Sequence, residues 1–180
     1  MAFQFWQTSS SKTKRLLTIG AFFVVALIVT AAGALTPLSI QDANSLNQEI
    51  EQLRQNISVQ YVFGNNLMLC LPMFIPFVGP VFGLWVMYNT GVVIAAETIA
   101  VSPQVSPLLT LLTLFLFPFT WMEFISYSTG FAESVWLIRR GMQGMGKREI
   151  KNAAILIAIV AVILLLAAIV EVALIQALAR

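Results

Sequence analysis

Few side chains in this sequence could do chemistry, and the one that stands out is Glu123, inside the run FPFTWMEFISYSTG at residues 117–130. A carboxyl group at the centre of a lipid-embedded helix costs about 2.5–3.5 kcal/mol on insertion scales. An acid kept at that cost is either a proton or cation site or a hydrogen-bonded tie between spans. As a tie, Glu123 is expected to be buried between spans, mostly protonated, and to donate or share a hydrogen bond with the third apolar run or with a proline-rich hairpin. Thr120, Glu123, Tyr127, Gly130 and Ser134 recur at spacings of three and four, which puts them on one stripe of a helix. The third run carries a comparable stripe of Gly83, Thr90 and Glu97, and two such stripes facing each other would shield the acid from lipid. Asn65 and Asn66 can either cap a helix or bind a ligand. The candidate intramembrane polar site is therefore Glu123, Tyr127, Thr120, Glu97, Asn65 and Asn66.

The chain has no histidine and one cysteine, Cys70. That excludes His/Cys zinc sites, histidine-ligated haem, histidine-based triads and intrachain disulfides. A metal would need carboxylates or carbonyls as ligands. The nucleophile–base pairs that mark covalent catalysis are absent, so neither enzyme activity nor a cofactor is expected. A net charge of +2 gives no reason to expect a nucleic-acid partner.

These residues must be positioned by membrane helices. The composition is 59% hydrophobic and 10% charged, with a mean hydropathy of +0.88, where a soluble domain carries about 25% charged residues. The expectation is a single all-α transmembrane domain over residues 1–180, a polytopic helix bundle. Apolar runs fall at residues 16–35, 61–77, 79–101, 107–138 and 152–178. Spans need roughly 20 residues, so the second run is short. The first could be mistaken for a secretory signal, because TAAGA resembles a cleavage site, but its apolar stretch is long for one and it is taken as an uncleaved span.

The fourth run would be about 48 Å long as one helix, against a hydrocarbon core of about 30 Å. It must tilt, break or protrude, and Pro118 is the natural break. A second half-helix starting there, with proline at its first position, would place Glu123 just beyond the first turn, where the helix dipole partly offsets its desolvation.

In LCLPMFIPFVGPVFGLW, Pro72, Pro76 and Pro80 are four apart, incompatible with one regular helix facing lipid. Residues 61–101 are therefore either two spans or a re-entrant hairpin. Gly79 and Gly83 permit close backbone approach. The polar segment 36–60 contains Ala43, Leu46, Ile50, Leu53 and Ile57 on one stripe, a short outer amphipathic helix. That stripe either packs on the bundle's own rim or docks a partner helix.

Eight of the ten Lys and Arg residues precede the first span or lie in RRGMQGMGKREIK, residues 139–151. The positive-inside rule puts both groups in the cytoplasm. Five spans, or a re-entrant hairpin over 61–101 that enters and leaves by one face and so preserves the parity, then leave the N terminus inside and the C terminus outside, in a multi-pass cell-membrane protein. The sequon at Asn56 agrees with an outer 36–60 segment. Arg139, Arg140, Lys147, Arg148 and Lys151 form a candidate anionic-lipid site, or serve only to set topology.

YNTG at residues 88–91 and YSTG at residues 127–130 lie on runs of opposite direction, as inverted repeats do in transporters. The FGNN motif, the glycine-rich hairpin followed by YNTG, and a Pro-x-x-x-x-Glu element at Pro118 and Glu123 carry a family likeness. Over about residues 10–178 the chain resembles the stage II sporulation protein M family, in its short multi-span form. The family element typically reads Pro-His-Gly-x-x-Glu, and Phe119 and Thr120 stand here in place of His and Gly. The member that names the family is a membrane scaffold recruiting cell-wall hydrolases during forespore engulfment. The resemblance implies a non-catalytic scaffold or accessory subunit that organises or stabilises a larger membrane complex, with lipids and other membrane subunits or further copies of itself as partners. The alternative is a transporter or channel subunit using Glu123.

Overall fold

The computed structural model describes residues 10–54 and 57–178, and within them the chain is all-α. Seven helices follow in order: α1 (Ser11–Ala34), α2 (Ile40–Arg54), α3 (Val59–Cys70), α4 (Val78–Val101), α5 (Pro107–Leu114), α6 (Pro118–Met142) and α7 (Gly146–Leu178). A 3₁₀ turn, Leu71–Phe74, continues α3. Asn56, the acceptor residue of the sequon, lies outside the described residues.

Local chemistry sets the helix ends. The Ser10 hydroxyl accepts from the Thr13 amide at 3.2 Å and caps α1. Ser39 accepts from the Asp42 amide and donates to the Asp42 carboxylate at 2.6 Å, a reciprocal cap ahead of α2. Ser58 caps α3 by accepting from the Tyr61 amide. Pro72 lies in the first positions of the 3₁₀ turn and Pro118 in those of α6, where a missing N–H is harmless.

Three helices, α1, α4 and α7, are individually long and apolar enough to cross a membrane; α5 with α6 makes a fourth, bent by 92° at the break before Pro118. The protein is thus a multi-pass membrane protein with three to four candidate spans rather than five. The second apolar run fails as a span because Pro72 loosens α3 after 12 residues, about 18 Å of helix. The chain then turns back, with Phe77 at a positive φ of 65°. Its amide-poor apex is held by hydrogen bonds from the Val78 amide to Pro76 and from the Gly79 amide to Ile75. The result is a hairpin whose descending limb is α3 plus the 3₁₀ turn and whose ascending limb is α4.

The descending limb keeps register with α6. Asn66 meets Glu123, the Cys70 thiol faces the Ser126 carbonyl at 3.7 Å, and Ser134 donates to the Ile75 carbonyl at 2.9 Å. Ser134 adds a second bond to the Ile75 carbonyl, which already accepts from the Gly79 amide, and so fixes the proline turn to α6. The glycines of the hairpin are there for proximity: a Cβ on Gly79 would lie 2.1 Å from the Met73 carbonyl oxygen, and one on Gly83 would enter the Phe131 ring. Gly33 and Gly91 form a second close crossing, between α1 and α4, where a Cβ on either would lie 2.0 Å from the other helix's carbonyl oxygen. Met73, Met87, Phe131 and Leu164 fill the core between these helices.

The amphipathic stripe expected over residues 43–57 holds over part of its length. Ala43 is fully buried, and Leu46 and Ile50 are half-buried, as α2 packs on α4. Leu53 is 60% exposed, and Ile57 lies beyond the helix end, packing instead on Val62 and Val172. The two basic segments meet at one end of the bundle: Arg140 donates to the Ser11 hydroxyl at 3.1 Å, and Arg15 bonds Glu149.

Candidate functional site

Two polar clusters lie inside the bundle. The first is built around Glu123, half-buried in the second turn of α6. The Asn66 side-chain amide donates to its Oε1 at 2.6 Å, tying α3 to α6. Asn65 stands next to it and donates weakly to Asn66 at 3.4 Å. Neither asparagine caps a helix, because Ser58 does so two turns earlier and both sit within α3. Tyr127, one turn on from Glu123, is buried. Among the described residues Glu171, on α7, exerts an electrostatic influence on Glu123.

Thr120 is on the same stripe but performs a different task. Its hydroxyl donates to the Leu114 carbonyl at 2.8 Å, and the Trp121 indole donates to the Phe115 carbonyl at 2.8 Å. At the 92° bend the Trp121 indole supplies a donor to the Phe115 carbonyl released where α5 ends, and Thr120 adds a second bond to the Leu114 carbonyl, which already accepts from the Phe117 amide. Glu97 lies near the far end of α4, next to Thr98, whose hydroxyl donates to Thr110 on α5.

The two stripes do not face each other. Gly130 packs on Met73 and Phe74 and Ser134 bonds Ile75, so the α6 stripe faces the descending limb. Gly83 meets Phe131, and the Thr90 hydroxyl turns back onto the Val86 carbonyl of its own helix. The hydrogen-bond partner of Glu123 belongs to the hairpin, as a tie would require, but it lies on the short limb. YNTG and YSTG also differ in setting: Tyr88 bonds the Thr36 hydroxyl at 2.8 Å at an exposed rim, whereas Tyr127 is buried.

Sequence reasoning missed the second cluster. Arg15 of α1 donates to Glu133 of α6 at 2.7 Å and also bonds Glu149 of α7, so one guanidinium joins three helices. Glu133 is 1% exposed, and its Oε1 has no hydrogen-bond partner. Glu133 sits ten residues beyond Glu123 in the same apolar run and could have been picked out by the same argument. Arg15 was visible only as one of a basic cluster. The guanidinium of Arg15 also lies 5.4 Å from the Trp136 ring centre, with Arg139 at 5.4 Å and Arg140 at 5.3 Å. One indole thus gathers three cations. Of the basic loop, Arg140 and Arg148 line a common cleft, while Arg139, Lys147 and Lys151 are exposed outside it.

Among the described residues no group of three or more His, Cys, Asp or Glu is arranged to hold a metal ion. No family model, no curated protein and no solved structure matches this chain.

Proposed function

We propose that this protein is a non-catalytic membrane scaffold or accessory subunit, in which the intramembrane acids serve as ties between helices. One observation carries the reading: Glu123 and Glu133 are each bonded to a side chain of another helix, Asn66 and Arg15 respectively. The remaining polar groups nearby reinforce the backbone where it breaks. Thr120, Trp121 and Ser134 all bond carbonyls at the two proline breaks. A bundle held this way has a fixed shape, which is what a subunit that organises others requires. The likeness to the stage II sporulation protein M family points to the same role. The positive-inside rule adds an orientation: Ser11 and the loop at 139–151 in the cytoplasm, α2 and the end of α7 outside, with α3 and α4 together entering and leaving by the outer face.

A transporter subunit is the second reading, favoured by the electrostatic influence of Glu171, on α7, on Glu123. Two acids on facing helices are the minimum for relaying a proton or holding a cation. The deciding experiment has two halves. Affinity purification in mild detergent should recover other membrane subunits in fixed ratio. Purified protein in liposomes should carry no proton or monovalent-cation flux above empty vesicles. Flux that Glu123→Gln abolishes would replace the scaffold reading with the transporter one.

A further inference from the structure

We infer that the basic end of the bundle holds one anionic glycerophospholipid in a built site, its phosphate between Arg140 and Arg148 and an acyl chain between α1 and α7. Two adjoining cavities support this. A cleft of about 260 Å³ is lined by Arg15, Arg140 and Arg148 together with Ser11, Glu149 and Asn152. A groove of about 510 Å³ continues from it and shares Ser11, Arg15, Arg148 and Asn152. Beyond those four and Lys12 its walls turn apolar, with Leu16 and Ile19 from α1 and Ile155 and Leu156 from α7.

The charge of the site is worked out residue by residue. Arg15 is engaged by Glu133 and Glu149. No acidic side chain pairs with Arg140 or Arg148 among the described residues, and Lys12 stands at the groove. Four cations, Arg15, Arg140, Arg148 and Lys12, against the two glutamates leave two positive charges at a site open to lipid. Arginine is suited to phosphate because its planar fork can donate two parallel hydrogen bonds. Arg140 is already oriented, by the Ser11 hydroxyl and the Trp136 ring. A free phosphate would use the cleft alone. The apolar groove that continues from it is what selects a lipid, since a polar headgroup and an apolar chain fit the two halves in turn.

The site differs from diffuse attraction to a charged surface, because Lys147 and Lys151 carry equal charge nearby but line neither cavity. The test is native mass spectrometry of the full chain in mild detergent, offered an equimolar mixture of phosphatidylglycerol and phosphatidylcholine. Wild type should retain one phosphatidylglycerol in preference. The Arg140→Gln/Arg148→Gln variant should lose about thirtyfold of that preference. The Lys147→Gln/Lys151→Gln variant should lose less than about threefold, because exposed charges are screened. Equal losses in the two variants, or equal retention of both lipids by wild type, would overturn the site. Ile19→Trp, which fills the groove and leaves every charge in place, should also lower retention; unchanged retention would remove the acyl-chain half. Inorganic phosphate and glycerol phosphate at matched concentration should not displace the lipid. Displacement by either would make the cleft a free-phosphate site and overturn the lipid assignment.

Discussion

Replacing Arg15 by glutamine should unlatch one end of the bundle. The arginine holds Glu133 and Glu149, which are 1% and 5% exposed in their side chains, while it is itself 19% exposed. Removing one partner of a fully buried ion pair costs about 3–5 kcal/mol, because the other charge is left in a medium that cannot solvate it. Water reaching the partly exposed guanidinium lowers that, to roughly 2–4 kcal/mol for Arg15→Gln. Arg15→Lys keeps the charge but loses the fork that spans two carboxylates, so an intermediate loss of about 1–2 kcal/mol is expected. The triple variant Arg15→Gln/Glu133→Gln/Glu149→Gln removes all three charges and should recover most of the stability lost by the single change. Glu133→Gln alone should be nearly neutral, since glutamine can still accept from Arg15 and one of two acids sharing a single cation is gone. Reversible unfolding in mixed detergent–SDS micelles gives the comparison. A loss below about 0.5 kcal/mol for Arg15→Gln, or a triple variant no more stable than the single one, would refute the latch.

Other predictions follow from single sites. A Cβ at Gly91 would sit 2.0 Å from the Thr30 carbonyl oxygen, where ordinary contact begins at 3.4 Å, so α1 and α4 must part by the 1.4 Å difference. Gly91→Ala should therefore lose about 1–3 kcal/mol in the same unfolding assay, whereas Gly64→Ala, with nothing within 4 Å, should be neutral or gain up to about 1 kcal/mol. At the hairpin apex, Phe77→Gly should gain about 1 kcal/mol by relieving the positive φ, and Phe77→Val should lose roughly 1–3 kcal/mol. Cysteines placed at exposed Gln48 and Gln143 should react with an impermeant reagent from opposite sides of the membrane, with the buried native Cys70 silent; labelling from one side would end the proposed orientation.

The membrane class, the amphipathic helix α2 and the break at Pro118 were all legible because each rests on a local rule: hydropathy, period and the missing proline N–H. The hairpin was legible as a choice between two readings, and the 12-residue length of α3 decides against a regular second span. What could not be read was partnership across sequence distance. Nothing in the neighbourhood of Glu123 names Asn66, 57 residues away, and nothing near Glu133 names Arg15, 118 residues away. The stripe of Gly83, Thr90 and Glu97 was misassigned for a related reason. A helical period shows which residues share a face, but the neighbour of that face is set by crossings such as Gly33 against Gly91, which only the packed bundle reveals.

The scaffold reading rests on Glu123 acting as a tie, and the most direct measurement compares Glu123→Gln with Glu123→Leu by recovery of the tagged protein and its co-purifying subunits. Glutamine keeps the size and can still accept from Asn66, so recovery should match wild type. Leucine leaves the Asn66 amide unpaired inside the bundle, a loss of about 1–3 kcal/mol, and should lower recovery several-fold. Full recovery of both variants would contradict the account.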